Sequence, residues 1–238
     1  MRDHAELLLA TTAAAWGLPL DAAQLAQFQR YADELAAWNA HTNLTAITDR
    51  EGVTVRHFLD SLALARYWGA VPDTLLDLGS GAGFPGLPLK LLYPSLALTL
   101  VDSVGKKTAF LTHLTAQLGL TGVRVLTDRA EALGHDPNER EQYAVVTARA
   151  VADLRVLVEY GLPLLRLGGC LLAPKGAAAH AEVAAATRAM KLLGGALETV
   201  ATITLPEVAP RFLVVIRKVA PTHRRYPRSV GVPAHKPL

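Results

Sequence analysis

A glycine-rich segment between an apolar run and a predicted helix is the part of the sequence best suited to bind a ligand. The segment reads Leu75-Leu-Asp-Leu-Gly-Ser-Gly-Ala-Gly-Phe-Pro-Gly86. Gly79, Gly81 and Gly83 allow the backbone to turn tightly and leave room for a ligand. The amides at the start of the following helix can donate hydrogen bonds to a negative group. Three alternating glycines exceed the need of a simple turn, so the segment predicts a binding site.

Two cofactor classes are compatible with this loop. Gly81, Gly83 and Gly86 match the spacing of a dinucleotide fingerprint, and Asp102 follows at a distance suited to a ribose diol. Asp77 favours the other class, because a carboxylate beside the loop repels a pyrophosphate and suits an ammonium group. The methionine end of S-adenosylmethionine carries such a group. These residues alone leave open a nicotinamide-dependent enzyme and a methyltransferase.

The elements that position the loop alternate between strands and helices. The predicted strands are 75–78, 96–101, 123–126, 143–148, 168–174, 196–204 and 211–218, and the predicted helices between the first six are 85–92, 105–118, 129–133, 153–166 and 177–193. This alternation predicts a parallel α/β sheet with helices on both faces. The last two strands follow one another without a long helix, so they predict an antiparallel hairpin at the edge of the sheet.

Upstream of the sheet, the first 68 residues predict helices only. A helix is expected over residues 3–16, a second one is capped by Asp21, and a third is capped by Asp49 and runs to Trp68. We therefore expect three parts, namely an N-terminal helical extension (1–68), an α/β domain (69–220) and a basic C-terminal tail (221–238).

Composition excludes several classes of protein. The 238 residues are 51% hydrophobic and 19% charged, which is enough apolar material for a large core. The single cysteine, Cys170, excludes an internal disulfide framework and a multi-cysteine metal site, and no residues have metal-ligand spacing, so we expect no metal. No apolar run has the length of a membrane helix, and Asp3 and Glu6 beside Arg2 are untypical of a secretory signal. A cytoplasmic protein is expected.

Nine short segments carry a resemblance to a known family. They are Trp38-Asn39, Asn43-Leu-Thr-Ala-Ile47, Arg56-His-Phe-Leu-Asp-Ser-Leu62, Asp77-Leu-Gly-Ser-Gly-Ala-Gly-Phe-Pro-Gly-Leu-Pro-Leu89, Asp102-Ser-x-x-Lys-Lys-x-x-Phe-Leu111, Arg129-Ala-Glu131, Ala148-Arg-Ala-Val151, Lys175-Gly176 and Tyr226-Pro-Arg228. With them the sequence resembles the bacterial ribosomal RNA small subunit methyltransferase G family over nearly its whole length. One departure is His235, where the family pattern leads us to expect a lysine.

The resemblance implies a fold, a reaction and a cofactor. The fold is a class I (Rossmann-like) methyltransferase with a seven-stranded, mostly parallel sheet. The reaction transfers a methyl group from S-adenosylmethionine to N7 of a guanine in the decoding-region loop of 16S ribosomal RNA. The partner is 16S ribosomal RNA or the small ribosomal subunit or its precursor. The alternatives are a small-molecule methyltransferase and a nicotinamide-dependent oxidoreductase on a similar fold.

The resemblance also implies a cofactor site. Its residues are Gly79, Gly81, Gly83 and Phe84 at the methionine and ribose parts, Asp102 and Ser103 at the ribose, Ala130 and Glu131 beside the adenine, and Arg149 facing the reacting region. The role of Arg149 stays open between the carboxylate of the cofactor, O6 of the guanine, a phosphate of the RNA, and a structural salt bridge.

No general base is predicted, because guanine N7 has a lone pair and no proton to lose. Catalysis then consists mainly of positioning the two reactants, and no catalytic residue is assigned. His57 and Asp60 lie one helical turn apart and could pair with each other.

Charge is distributed unevenly along the chain. Residues 1–207 carry 17 basic and 21 acidic side chains, whereas the remainder carries seven basic side chains and no acidic one. Such a basic tail favours a polyanionic partner, although a solvated tail is the simpler alternative. Arg224, Arg225 and Arg228 flank Tyr226, whose ring can stack on a base, so we predict that the tail clamps the RNA. The competing possibility is that the Tyr226-Pro-Arg228 segment docks back on the catalytic domain and holds it together.

Overall fold

A seven-stranded sheet forms the centre of the protein, in a computed structural model that describes residues 4–238. Its strands are β1 (Thr74–Leu78), β2 (Ala97–Asp102), β3 (Val123–Thr127), β4 (Tyr143–Ala148), β5 (Leu165–Lys175), β6 (Gly195–Leu205) and β7 (Val208–Lys218). The order across the sheet is β3-β2-β1-β4-β5-β7-β6. Strands β1 to β5 pair in parallel and β7 runs antiparallel to both neighbours. The predicted sheet and its terminal hairpin are confirmed.

Helices cover both faces of the sheet. They are α1 (His4–Ala15), α2 (Ala22–Asn39), α3 (Arg50–Val53), α4 (Asp60–Leu62), α5 (Gly86–Leu92), α6 (Gly105–Gln117), α7 (Ala130–Leu133), α8 (Leu154–Gly161), α9 (Ala179–Leu192) and α10 (Val232–His235). A π-helical segment (Thr54–Leu59) joins α3 to α4 without a break. The helix predicted over 153–166 is too long. It ends at Gly161 in a short 3-10 turn, because Pro163 has no N–H to continue the helical hydrogen bonds.

The N-terminal helices begin where the capping residues predict. The Asp21 carboxylate accepts from the Gln24 amide (2.8 Å), and the Gln24 side chain accepts from the Asp21 amide (2.9 Å), which forms a capping box at α2. Asp49 caps α3 by accepting from the Gly52 amide at 2.6 Å. The first predicted helix is confirmed from His4, and its predicted first residue, 3, lies outside the described residues.

Apolar packing ties these helices to the sheet. Phe28 and Phe58, from α2 and the π-helical segment, lie in the same buried cluster as Leu75 and Leu98 of β1 and β2. A second cluster, on the opposite face, joins the sheet to α8 and α9. The side chains of the N-terminal helices are therefore in direct reach of the carboxyl ends of β1 and β4.

The C-terminal tail is docked on the second face rather than free in solvent. Tyr226 is only 4% exposed, and its carbonyl accepts from Arg140 at 2.8 Å. Arg228 pairs with the fully buried Glu159 at 2.7 Å. The prediction that Tyr226 stacks on RNA is wrong, because its ring is part of the protein core. Of the predicted clamp, Arg224 and Arg225 remain exposed.

Candidate cofactor and acceptor site

Two adjacent cavities lie at the carboxyl ends of β1, β2 and β4, where the strand order reverses and ligands of parallel sheets commonly bind. Cavity A extends from Gly79 past the ends of β2 and β3, and cavity B lies between the glycine loop and the π-helical segment. Each has a volume of about 360 Å³. Gly79, Lys107 and Ala150 line both cavities, so a molecule that fills one reaches the other.

Eight of the nine predicted cofactor residues line these cavities. Cavity A is lined by Gly79, Asp102, Ser103, Ala130 and Glu131, and cavity B by Gly79, Gly81, Phe84 and Arg149. These residues share the local feature that positions them, because each lies at the carboxyl end of a parallel strand or in the segment that follows it. The structure thus brings together residues that are up to 70 positions apart in the sequence.

Gly83 is the exception among the predicted residues. It lines neither cavity, and a Cβ atom there would lie 2.6 Å from both Leu87 Cδ1 and the Tyr31 hydroxyl. Gly83 is therefore needed for close packing of the loop against α2. Gly81 has the opposite surroundings, because a Cβ atom there would meet only the Gly79 carbonyl, at 3.9 Å. Its missing side chain leaves space that belongs to cavity B.

Aromatic stacking fixes the glycine loop. Phe84 lies between Tyr31 (centroids 5.2 Å apart, rings 3° from parallel) and His57 (4.4 Å, 17°). The Tyr31 hydroxyl is buried and donates to the Ala82 carbonyl at 2.6 Å. Tyr31 was not predicted from the sequence, although its spacing of three residues from Phe28 places it on the apolar face of α2.

Arg149 is held by a buried polar network on the wall of cavity B. Its guanidinium donates to Asp60 Oδ2 (2.9 Å), to the Arg56 carbonyl (3.0 Å) and to His57 Nδ1 (3.1 Å). Asp60, 1% exposed, also accepts from Arg211 at 3.2 Å. The predicted pairing of His57 with Asp60 is wrong, since both side chains bind Arg149 instead.

The π-helical segment creates part of this network. The Asp60 amide donates to the carbonyls of Val55 and His57 and skips that of Arg56. The Arg56 carbonyl is thereby available to Arg149. Such irregular turns are frequent at functional sites, and no local pattern in the sequence distinguishes this one from an α-helix.

His57 is a neutral side chain in this arrangement. Because arginine always donates, His57 Nδ1 accepts from Arg149, and Nε2 carries the proton that is shared with Thr45 Oγ1 at 2.8 Å. Burial, followed by the nearby Arg149 charge, lowers the pKa of His57 to about 3. The imidazole is therefore uncharged at neutral pH and has no free lone pair for a proton.

The carboxylates of cavity A are anchored by backbone amides. Asp102 Oδ2 accepts from Gly81 N–H (3.0 Å) and Oδ1 from Val104 N–H (2.9 Å), which fixes the carboxylate at the end of β2. Glu131 Oε1 accepts from the Tyr160 hydroxyl (3.2 Å) and from Gly231 N–H (2.9 Å). The last contact brings the C-terminal tail to the cavity, and the contribution of the tail to its wall was not predicted from the sequence.

Asp77 lies beneath the glycine loop and lines neither cavity. The side chain is fully buried, Oδ2 accepts from Gly86 N–H at 2.9 Å, and Oδ1 has no hydrogen-bond partner. Burial raises the pKa of Asp77 to about 7, although the Gly86 amide and Arg149 oppose the rise. Asp77 is therefore not placed to contact an ammonium group directly, as the sequence suggested, and its hydrogen bond with Gly86 instead fixes the start of α5 below the loop.

Replacement of Asp77 by asparagine should change how stability depends on pH. In the folded protein Asp77 keeps its proton up to about pH 7, so its contribution to stability falls as pH rises from its ordinary pKa to that value. His57, with its lowered pKa, contributes in the opposite direction over the same range. Between about pH 5 and about pH 6.5 the free energy of unfolding of Asp77→Asn should therefore rise by about 2 kcal/mol relative to the wild type. Urea titrations across this range measure it, and parallel curves would contradict the expected coupling.

Residues 4–238 show neither a metal site nor a membrane span. They contain no group of three His, Cys, Asp or Glu side chains that could hold a metal ion. Within the same range, no helix combines the length and apolar character required to cross a membrane.

The strand order defines the class of protein. A classic dinucleotide-binding sheet has the order 3-2-1-4-5-6, whereas here the antiparallel β7 lies between β5 and β6. The same fold occurs in geranyl diphosphate methyltransferase in complex with S-adenosylmethionine, with a TM-score of 0.55, 17% identity, and coverage of 68% of this chain and 85% of that one. This chain thus has the Rossmann-like fold of that S-adenosylmethionine-dependent methyltransferase.

Sequence comparison then identifies the family. The model of the rRNA small subunit methyltransferase G family matches residues 24–208. Two relatives bear the name ribosomal RNA small subunit methyltransferase G. The one from Roseiflexus sp. (strain RS-1) is 59% identical, covering 97% of this chain and 99% of the relative. The one from Chloroflexus aggregans is 57% identical over the full length of both. The chain belongs to this family, as the sequence resemblance predicted.

Proposed function

We propose that this protein transfers the methyl group of S-adenosylmethionine to N7 of a guanine in 16S ribosomal RNA. The observation that supports the proposal is the junction of cavities A and B at Gly79 and Ala150, which allows a cofactor to extend from A into B and an acceptor to approach it in B. Family membership supports RNA as the acceptor in preference to a small molecule. The strand order and the family both disfavour a nicotinamide-dependent oxidoreductase.

Cavity A suits the nucleoside part of the cofactor. Asp102 ends β2 with its carboxylate held by two amides. Oδ1 keeps a lone pair for a ribose hydroxyl, whereas Oδ2 also faces Lys107 Nζ at 3.4 Å. Ser103, Ala130 and Glu131 continue the wall toward the adenine end. Val104 and Val151 are apolar side chains of the same wall that remain more than a third exposed, as expected of surfaces that a flat base would cover.

The methionine end would lie at Gly79 and Gly81, beside Phe84. Space for it exists because Gly81 has no side chain and faces the open cavity. Arg149 lies on the wall of cavity B and can offer its remaining N–H groups to the carboxylate of the cofactor. The bound cofactor supplies an electrophilic sulfonium methyl group, and the protein supplies its position.

Cavity B lacks the groups that would remove a proton from an acceptor. No Asp or Glu lies among the described residues that line it, and its histidine, His57, uses Nδ1 to accept from Arg149. An acceptor that has a lone pair and no proton, such as guanine N7, needs no base. The assignment of N7 rests on this fit and on the family resemblance.

Base mapping tests the proposal. Small ribosomal subunits from cells lacking the protein are incubated with labelled S-adenosylmethionine, and the methylated nucleotide is located in the 16S RNA. We expect one labelled 7-methylguanine. Label on another atom, or on a small molecule alone, would overturn the proposal.

The pH dependence of the chemical step provides a second prediction. The acceptor and His57 do not titrate near neutrality, and Asp77, with its pKa of about 7, lines neither cavity. The single-turnover rate with bound cofactor should therefore change by less than about threefold between about pH 6 and about pH 8.5. Rapid-quench measurements at saturating cofactor and RNA determine this rate. A steep loss of rate below neutrality that also occurs in Asp77→Asn, with binding unchanged, would show that the acceptor carries a proton and is not N7.

A further inference from the structure

Positive charge is concentrated around cavity B. Four cationic side chains line it, Arg56, Lys107, Arg149 and Arg211, and they come from four separate parts of the chain. Because the described residues on this wall include no carboxylate, the field inside the cavity is set by these groups. An anion that enters cavity B is therefore attracted from several sides.

Two carboxylates form ion pairs with these four side chains. Asp102 pairs with Lys107 at 3.4 Å. The single carboxylate of Asp60 forms ion pairs with two guanidinium groups, those of Arg149 at 2.9 Å and Arg211 at 3.2 Å. Arg56 is exposed and forms no ion pair with any residue in the described range of the chain. Four cations and two paired carboxylates leave a surplus of two positive charges on the wall of cavity B, while Asp49, Glu51 and Glu207 line the neighbouring cavity that Arg56 also borders.

The cofactor does not account for this surplus. S-adenosylmethionine carries two cationic groups, the sulfonium and the ammonium, and one carboxylate, so a site for the cofactor alone gains nothing from excess positive charge. Its single carboxylate can be met by Arg149, the most buried of the three arginines. Arg56 and Arg211 are thus available to a second anion.

The placement of these two arginines fits a ligand that passes over the mouth of the cavity. Arg56 is the exposed member of a π-helical segment whose neighbouring residue, His57, lies buried in the cavity wall. Arg211 lies near the start of β7, opposite Ile203 of β6, and keeps a third of its side chain exposed. Asp60 accepts hydrogen bonds from both Arg149 and Arg211. The bond to Asp60 limits the movement of the Arg211 side chain.

We propose that Arg56 and Arg211 form a phosphate clamp, which binds backbone phosphates of the RNA next to the nucleotide whose base enters cavity B. This inference rests on the proposed function, because it takes RNA as the acceptor. The phosphate clamp replaces the basic tail as the main electrostatic contact with RNA. Of the tail residues predicted to contact RNA, Tyr226 is buried and Arg228 is paired with Glu159. Phosphates held at the mouth also orient the base before methyl transfer.

Salt-dependent RNA binding tests the phosphate clamp. The probe is an unmodified 16S RNA transcript, titrated at several salt concentrations with the wild type and the double variant Arg56→Gln/Arg211→Gln. Loss of two phosphate contacts should reduce the slope of log K against log salt by about 1.4 and weaken binding about tenfold. Affinity for S-adenosylmethionine should stay within about twofold of the wild type, because the two side chains bind the RNA and not the cofactor.

The matched control is Arg224→Gln/Arg225→Gln, which removes the same charge from two exposed tail residues. It should retain the wild-type slope. The variant Arg56→Lys/Arg211→Lys should restore most of the slope, because a phosphate requires a cation and not the planar fork of arginine. An unchanged slope in the glutamine variant, a larger loss in the tail variant, or a loss of cofactor affinity would each overturn the clamp. Methyl transfer is not needed for this measurement, so a failure of the proposed reaction in the wild type is detected separately.

Discussion

Gly81→Val is expected to abolish binding of S-adenosylmethionine while the protein remains folded. In the structure a Cβ atom at Gly81 meets no protein atom closer than 3.9 Å, so the new side chain fits the fold but projects into cavity B. There it occupies the volume assigned to the methionine end of the cofactor. We expect an affinity loss of about 100-fold or more, measured by calorimetry. Methyl transfer should fall in parallel.

Backbone strain must be separated from this effect, because Gly81 has φ of 58°. Gly119→Val is the matched control. Gly119 has φ of 64°, and a Cβ atom there would also have no close neighbour, with nothing within 4 Å, but Gly119 follows α6 and lines neither cavity. Both variants should lose about 1–2 kcal/mol of stability from the left-handed backbone. If they bind the cofactor equally well, cavity B does not hold the methionine end.

The parts of the fold that follow local rules could be predicted from the sequence. Apolar runs and their spacing are local properties, so strands such as 143–148 were predicted with the observed bounds. Capping also depends on residues a few positions apart, as at Asp21 and Gln24. The glycine loop and Asp102 could be assigned to one site because parallel strands bring their carboxyl ends together.

The network around Arg149 could not be predicted in the same way. Arg149 is separated from Asp60 by 89 positions, and Arg211 from Asp60 by 151. A helical spacing of three residues favoured a pair between His57 and Asp60, yet a nearby guanidinium offers each of them a stronger partner. Such competition is decided by tertiary packing, which a local pattern does not contain.

The docking of the C-terminal tail on the protein was also difficult to predict from the sequence. A run of basic residues without acidic neighbours is typical of a solvated or RNA-binding segment, and the partner of Arg228 lies 69 positions away in α8. One feature of the sequence did indicate a buried ion pair, because Glu159 is an acidic residue within the mostly apolar stretch Leu154–Gly161. A carboxylate on a buried helix face requires a cation from elsewhere in the chain.

Arg228→Ala is accordingly expected to cause a large loss of stability. Its guanidinium and its own amide donate to Glu159, whose side chain is fully buried, at distances of 2.7–3.2 Å. Truncation keeps the backbone amide but leaves the buried carboxylate without its cationic partner, which costs about 3–5 kcal/mol. Because the tail continues to Gly231 and Ala234 at cavity A, cofactor affinity should fall as well. Urea unfolding and calorimetry measure the two effects.

Two comparisons isolate the buried pair as the cause. Arg166→Ala removes an ion pair to Asp73 in which both side chains are about half exposed, so it should cost less than about 1 kcal/mol. In the double variant Arg228→Leu/Glu159→Leu no charge is left unpaired, and most of the lost stability should return. A loss in Arg228→Ala no greater than that in Arg166→Ala would mean that the tail is undocked in solution. In that case Arg228 would again be a candidate for RNA contact, and removing it would flatten the salt dependence of binding instead of lowering the free energy of unfolding.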